Sequence, residues 1–516
     1  MGENVKQTDR SGKTNGFGFF LTGNFFTGKI LFLGLVVAQI ISSIHVYLSN
    51  IKLLHSIENI KAAGYLTVPN QNIIKSLPEL GPAFYGGIFF TLTTGALLSL
   101  LGLVSAFMWV RFFKRKKNLL IPFIAIWAGL IGEININGFS PLICSYFLFI
   151  PSVVFLISSR YMPPPQSRKT GGLTEIIPVI PVLALVILWT LQINSGIFTD
   201  IRDHLLLSNS LGTKINDFYY QYTLYPAEAI KSLDQKLIRT YKFDKPEDNS
   251  LADQIRVKLV NNDYLQLNKN AEVDLDIEEQ NNYIELRHEG KIILTTLSKD
   301  FLSDPGKTLS EFSMRVDRQD FFRRFTFISL LSGFPAAMII LFYSMLVFFL
   351  KLFFEYRRAS TISLYLCLAI AIFLSAFFNH VSGKQIDENN LPEALKSARW
   401  QDKVMALRII DEKKLDISGF GNYREMLSSP HIPVRYWLAK VLGESHKPGT
   451  FKDLLVLMDD PSPNVVCMAY YSTGQRGSKK NIKELLQRIK ISGHWYEQWY
   501  AYKALRALGW KQTISD

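Results

Sequence analysis

Long stretches of apolar residues with almost no charge constrain this chain more than any other feature of its sequence. Each is about twenty residues or longer, which is the length that an α-helix needs to cross the hydrocarbon core of a bilayer. The clearest of these stretches are 28–49, 83–110, 174–193, 325–350 and 360–379. The pattern predicts a polytopic α-helical membrane protein with soluble parts between and after the spans.

A further apolar block at 119–158 decides how many times the chain crosses the membrane. It is interrupted near its middle by the polar sequence EININGFSP, so two short spans joined by a tight turn fit it best. The chain then has about seven transmembrane helices, and the basic clusters of the short loops, such as RFFKRKK at 111–117, fall on one side. That side is cytoplasmic by the positive-inside rule. A single crossing would scatter the clusters and move the C-terminal domain to the other side.

The predicted topology divides the chain into consecutive parts. These are a cytoplasmic N-terminal segment at 1–27, five transmembrane helices at 28–193 with an outside loop at 50–82, an inserted α+β extracytoplasmic domain at 194–323, two transmembrane helices at 324–380 and a C-terminal repeat domain at 381–516. We therefore expect a multi-pass protein of a bacterial-type inner, or plasma, membrane. Its N-terminus is cytoplasmic and its C-terminal domain is extracytoplasmic.

Two kinds of periodicity follow one another in the insertion. Residues 199–240 have helical spacing in two stretches, and the alternating runs after them predict a small strand meander. These runs lie at 255–260, 271–279, 282–290 and 291–297. Five aromatic residues lie in the sequence DFYYQYTLYP at 217–226. They are compatible with the core of the domain, with an aromatic belt at the lipid headgroups, or with a platform for a carbohydrate or peptide.

The C-terminal part repeats itself. MLSSPHIPVRYWLAKVLG at 426–443 aligns with LMDDPSPNVVCMAYYSTG at 457–474, which places Gly443 on Gly474. A longer unit follows and ends at Gly509, and a partial unit precedes them. Helix pairs with a fixed period stack as a solenoid, because one unit cannot bury its apolar face alone.

These units resemble HEAT-like repeats of the short bacterial type over about residues 390–510. The pattern is a helix, the sequence D-P-x-P-x-V-R, a second helix and an A-L-G ending. One unit follows it at Pro430, Val434, Arg435, Leu442 and Gly443. The resemblance implies a binding or scaffolding surface, usually for protein.

The last unit is rich in large aromatic residues. The sequence GHWYEQWYAYKALRALGW at 493–510 places them on two helical stripes, and a single solenoid cannot bury both. One stripe is therefore expected to contact the chain's own insertion, a separate protein or the membrane surface. The predicted protein-binding residues are Arg435, Trp495, Trp499 and Tyr500.

The sequence lacks recognisable catalytic chemistry. Eight histidines and three cysteines form no zinc-binding or disulfide spacing, and no H-E-x-x-H, G-x-S-x-G or P-loop sequence occurs. We predict no catalytic residue, no metal site and no cofactor. The net charge of +13 does not indicate nucleic-acid binding, because the cytoplasmic loops hold a large share of it.

Two polar residues at membrane depth are candidate functional positions. Gln39 lies within the first span, where its amide can hydrogen-bond a neighbouring helix. Glu133 lies in the turn inside the block 119–158, where either contact with outer-side water or an ion or proton site would explain it.

We expect an integral membrane scaffold or assembly factor that contacts the lipid bilayer. It binds another membrane or envelope protein through the repeats and the insertion. A transporter or a transporter's accessory subunit is the alternative, and a polar cavity at Gln39 or Glu133 would favour it. A membrane-embedded transferase that acts on a lipid-linked substrate is a third hypothesis.

Overall fold

The computed structural model describes residues 24–162, 179–193, 196–244, 249–268, 270–382 and 387–512. Most of the predicted segment 1–27 therefore lies outside the described residues. Within them the fold is mainly helical, and six helices are long and apolar enough to cross a membrane. The number rises to seven if the bent pair Pro181–Gln192 and Ile197–Leu206 is one broken span.

The first membrane region is a bundle of helices with one long member. Its helices are α1 (Asn24–Ala62), α2 (Leu80–Phe90), α3 (Ala96–Arg111), α4 (Ile121–Ile134), α5 (Pro141–Tyr161) and α6 (Val179–Gln192). A π-helical turn at Thr91–Gly95 joins α2 to α3, and the block 119–158 contains two helices, α4 and α5. α1 continues to Ala62, so the first part of the predicted loop 50–82 is helical.

Small residues let α1 approach its neighbours closely. A Cβ added to Gly95 would lie 2.4 Å from the Cβ of Ala38 on α1, and one added to Gly34 would lie 2.3 Å from the Ser99 hydroxyl. Glycine, alanine and serine at helix contacts bring backbones together and strengthen packing where lipid provides no hydrophobic drive.

The insertion begins with helices and ends with a sheet. Its elements are α7 (Ile197–Leu206, with a π-helical turn from Arg202), α8 (Ser210–Tyr222), α9 (Leu224–Ile230), β1 (Arg239–Asp244), α10 (Asn249–Asn261), β2 (Tyr264–Gln266), β3 (Leu275–Gln280), β4 (Tyr283–His288), β5 (Lys291–Leu297), α11 (Ser298–Ser303) and α12 (Pro305–Val316). The sheet order is β2-β1-β3-β4-β5, with parallel pairs around β1 and antiparallel pairs from β3 to β5.

The prediction of a strand at 255–260 is wrong, because these residues belong to α10. Ala252, Ile255 and Leu259 are fully buried and share one helical face against the sheet core, whereas Val257 is 60% exposed. The run IRVKLV alternates well enough for a strand, but its apolar residues also match the helical period once Ala252 is included.

The second membrane region leads into the solenoid. It comprises α13 (Asp320–Leu331), α14 (Gly333–Leu350) and α15 (Tyr356–Ser382). The solenoid comprises α16 (Leu391–Lys396), α17 (Trp400–Glu412), α18 (Ile432–Leu442), α19 (Pro448–Leu457), α20 (Pro463–Gln475), α21 (Ile482–Ile491) and α22 (Trp495–Ala507).

The repeated glycines of the solenoid mark close contacts between successive units. A Cβ on Gly443 would lie 3.0 Å from the Cβ of Ser472 on α20, and one on Gly474 would lie 2.9 Å from the Cα of Ala504 on α22. The second helices of three units therefore stack directly on one another. This stacking buries a continuous apolar core that a single unit could not form.

Candidate functional site

The solenoid is fixed to the rest of the chain by buried polar contacts, and Asp203 on α7 is at the centre of them. Its side chain is fully buried and accepts a hydrogen bond from Nε1 of Trp437 at 2.8 Å. Arg202 pairs with the other carboxylate oxygen at 2.7 Å, and its guanidinium lies 3.7 Å from the ring centre of Tyr436. A buried carboxylate is stable only when paired in this way.

A second contact joins α8 to α20. The Asn216 amide donates to Oδ1 of Asn464 at 2.7 Å, and both side chains are buried. One turn further along α8, Tyr220 packs on Tyr496 of α22 with ring centres 4.8 Å apart. Burial raises the pKa of Tyr220 above its usual value, so its phenol stays neutral in this contact.

The loop 63–79 between α1 and α2 forms a third contact, with the last repeat. Asn70 donates its backbone N–H to Oε1 of Gln498 at 2.7 Å. Its side-chain amide donates to the carbonyl oxygens of Ile489, Lys490 and Ser492 at 2.8, 3.1 and 2.9 Å. These carbonyls lie at the end of α21, where intrahelical partners are missing, so Asn70 caps that helix from outside.

The turn between α10 and β2 also contacts the last repeat. Arg506 of α22 forms an ion pair with Asp263 at 2.5 Å, and Lys511 contacts Asn261 at the end of α10. Burial raises the pKa of Asp263 although Arg506 acts in the opposite direction. Thus the loop 63–79, the helical start of the insertion and the turn between α10 and β2 all contact the solenoid, and together with it they form one unit, which we call the head.

Arg435 and Trp495 are used inside the chain. Arg435 is 9% exposed, pairs with Asp460 at 2.6 Å and donates to the Ser429 carbonyl. Trp495 is buried and meets Tyr225 edge-to-face, with ring centres 5.1 Å apart. A separate partner contact for either residue stays a prediction.

Trp499 and Tyr500 lie next to each other on α22, with ring centres 5.1 Å apart. The ammonium of Lys503 lies 4.0 Å from the Trp499 ring centre, which is a cation–π contact. Together with Tyr496 they extend the aromatic contact between α22 and α8. The sequence left three surfaces open for one aromatic stripe of α22: the insertion, a separate protein or the membrane surface. In the structure, the insertion contacts these aromatic residues.

The two polar residues that were predicted to lie at membrane depth occupy different surroundings. The Gln39 amide donates to the Phe84 carbonyl at 2.8 Å and accepts from the Thr91 hydroxyl at 2.8 Å, so it joins α1 to α2 and the π-helical turn. Glu133 lies near the end of α4 and is exposed. The structure does not bring the two residues together.

Sequence reasoning missed Asp203, Asn70 and Trp437, which hold the solenoid in place. Each is a single residue whose partner lies far away in the sequence, and no local periodicity points to it. Among the described residues, no group of three or more His, Cys, Asp or Glu side chains is placed to hold a metal ion.

Comparison with known proteins identifies one segment. Residues 423–508 are HEAT repeats, as the match to that family's model shows. No curated protein and no solved structure matches the chain. The match covers the solenoid from just before α18 to the end of α22, where the repeated glycines lie.

Proposed function

We propose that this chain is an integral membrane scaffold or assembly factor that holds another envelope protein on an extracytoplasmic head. The observation that carries the proposal is the buried contact of Asp203 with Trp437 and Arg202, because it fixes the HEAT repeats to α7, the helix that directly follows α6 of the membrane region. A fixed solenoid presents its remaining surfaces in one orientation, as a scaffold requires.

The contacts within the head support two crossings by the block 119–158. The loop 63–79 and the insertion both contact the solenoid, so all three lie on one side of the membrane. The chain between Leu80 and Gly196 must then cross an even number of times. Four crossings satisfy this condition: one by α2 together with α3, and one each by α4, α5 and α6. The basic residues of the short loops favour a cytoplasmic N-terminus.

An aromatic patch supports the position of the head at the membrane surface. Tyr85 at the start of the second span packs on Phe218 and Tyr222 of α8, with ring centres 5.7 and 4.9 Å apart. Phe218 and Tyr219 are 37% and 49% exposed. Aromatic rings are enriched where lipid headgroups meet the hydrocarbon, so α8 is expected to lie in that layer.

The surroundings of Gln39 and Glu133 favour a scaffold over a transporter. Gln39 lies in a tight helix contact, where a Cβ on Gly87 would be 3.3 Å from the Gln39 amide nitrogen. Glu133 is exposed at a helix end. A transport site would instead need polar groups around a passage at mid-membrane depth.

Edge strand β5 is the surface that we assign to the partner. The sheet order leaves β5 at one end, and its Ile292 and Leu297 are 53% and 42% exposed. An exposed edge strand can add a strand from another protein by main-chain hydrogen bonds. A binding site at β5 would leave the contacts between the head and the membrane region unchanged.

Site-specific photo-crosslinking in intact cells tests the proposal. A photoreactive residue at Ile292 is expected to form a discrete adduct with one protein, and Ile292→Arg is expected to abolish co-purification of that protein. Val257 is similarly exposed, on α10, and serves as the matched control at which neither effect is expected. Adducts of equal yield at both positions, or none at Ile292, would contradict the proposal.

A reporter that is active only in the cytoplasm, fused after Asp516, tests the sidedness separately. It is expected to be inactive. An active fusion would show that the head faces the cytoplasm and would overturn the topology.

A further inference from the structure

An apolar groove lies between the outer ends of α6, α14 and α15, directly under α7. Its volume of about 470 Å³ is within the range of roughly 300–1,000 Å³ that is usual for small-molecule sites. Its walls are hydrocarbon side chains from all three helices. They include Leu185, Leu188, Met338, Phe342, Ile370 and Leu374.

The polar groups of the groove gather at its outer end. The Gln192 amide at the end of α6 donates to the Ser375 hydroxyl of α15 at 2.8 Å, and Asp200 of α7 completes this rim. Toward the membrane interior, the groove follows α15 from Ser375 to Cys367, which is about 12 Å at the helical rise of roughly 1.5 Å per residue. The polar outer end of the groove suits the polar group of an amphiphile from the outer leaflet, and the apolar walls below it suit the hydrocarbon chain.

α7 covers the groove and faces the solenoid with its other side. It makes an angle of 100° with the helix before it, so it crosses over the end of α6. Ile197, Ile201 and Leu205 line the groove at a spacing of four residues, which places them on one helical face. Asp203, on a different face of α7, accepts the hydrogen bond from Trp437 of the solenoid.

An ion pair links the rim to the solenoid. Arg408 of α17 donates to Asp200 at 2.9 Å, and its guanidinium lies 5.3 Å from the ring centre of Trp437. One end of the groove is therefore bordered by a side chain that is held by the solenoid.

We propose that this groove binds one acyl chain of an outer-leaflet phospholipid and thereby supports α7 against the solenoid. The neutral Gln192 and Ser375 groups suit the ester at the top of such a chain. A free fatty acid would instead bring a carboxylate to a rim where Asp200 is already paired with Arg408, and none of the residues that line the groove is a lysine or arginine that could neutralise it. The choice of the outer leaflet rests on the proposed topology, whereas the groove and its occupant do not depend on a protein partner.

The proposal predicts that filling the groove displaces a lipid. Ala371 lines the groove, and Phe373 on the same helix is 70% exposed and does not line it. In native mass spectrometry of protein extracted in mild detergent, the parent chain and Phe373→Trp are expected to retain a tightly held phospholipid. Ala371→Trp is expected to lose it. Equal retention by Ala371→Trp would overturn the proposal.

A measurement on the unaltered chain removes any dependence on folding of the variant. A phospholipid with a diazirine in its acyl chain is expected to label Phe342 and Ile370 in preference to Phe373. Equal labelling of groove and lipid-facing residues would overturn the site. A free fatty acid with the same group is expected to label the groove less, and stronger labelling by it would overturn the choice of phospholipid.

Discussion

Nε1 of Trp437 lies 2.8 Å from Oδ2 of Asp203, which joins the solenoid to a helix 234 residues earlier in the chain. A hydrogen bond to a charged group contributes about 1.5–3 kcal/mol to stability, roughly twice a neutral one. Because Asp203 is fully buried, no water can replace either of its partners. The position of the HEAT repeats therefore depends strongly on this side chain.

Asp203→Ala is expected to loosen the solenoid. It leaves the Arg202 charge buried without its carboxylate, a change that costs about 3–5 kcal/mol. Thermal unfolding and limited proteolysis in detergent measure the effect. Asp253→Ala is the matched control, because Asp253 is 71% exposed in its ion pair and a change within about 0.5 kcal/mol is expected. Equal loss in both variants would contradict the assigned role.

Asn70→Asp is expected to detach the loop 63–79 from the last repeat. The substitution replaces an amide donor by a carboxylate oxygen that would face the carbonyls of Ile489 and Ser492. Hydrogen exchange of 482–492 is expected to become faster. Asn72→Asp is the control, because the Asn72 amide is exposed and lies 3.4 Å or more from the same segment. Unchanged exchange in Asn70→Asp would be inconsistent with the capping role.

Gly95→Val is expected to separate α1 from the π-helical turn. A Cβ there would lie 2.4 Å from the Cβ of Ala38, and overpacking of this kind costs about 1–3 kcal/mol. The melting temperature in detergent is expected to fall. Gly129→Val on α4 provides the comparison, because a Cβ there meets nothing within 4 Å. A similar fall in both variants would show that the close approach is unimportant.

Glu497→Gln is expected to stabilise the last repeat at neutral pH. Burial raises the pKa of Glu497 above its usual 4.5, although the hydrogen bond from Ser492 and the charge of Arg488 lower it. The folded protein therefore binds this proton more tightly than the unfolded chain. The stabilisation is complete below the unfolded pKa and is lost as the pH rises through the folded pKa.

The Gln variant should thus melt at a higher temperature than the parent near about pH 7, and this advantage should vanish near about pH 4. Glu484→Gln, at a 43% exposed carboxylate on α21, is the control for which no such advantage is expected. An advantage of the Glu497 variant that does not change with pH would contradict burial as the cause.

Local sequence patterns predicted the elements but not their assembly. The alternating runs at 271–279, 282–290 and 291–297 coincide with most or all of β3, β4 and β5, because strand periodicity is visible within a few residues. The run at 255–260 misled because its apolar spacing satisfies both periods. The repeated glycines marked the HEAT repeats because they recur at the same position of each unit, where the second helix lies close to that of the next unit.

The contacts of the candidate site could not be predicted in the same way. Asn70 lies 428 residues before Gln498, and a polar residue in a loop carries no signal for a partner at that distance. The two aromatic stripes of α22 indicated that one stripe needs another surface. Only the fold identified that surface as α8 and α9, where Tyr220 and Tyr225 meet Tyr496 and Trp495.

The length of α1 has a mechanical consequence. Its 39 residues extend for about 58 Å at roughly 1.5 Å per residue, about twice the thickness of the hydrocarbon core of a bilayer. α1 therefore packs against the other candidate spans over its first part and ends at the loop 63–79, which contacts the last repeat. Because α1 is continuous from Asn24 to Ala62, a tilt of its first half within the bilayer would also move its other end and the loop 63–79 that follows it.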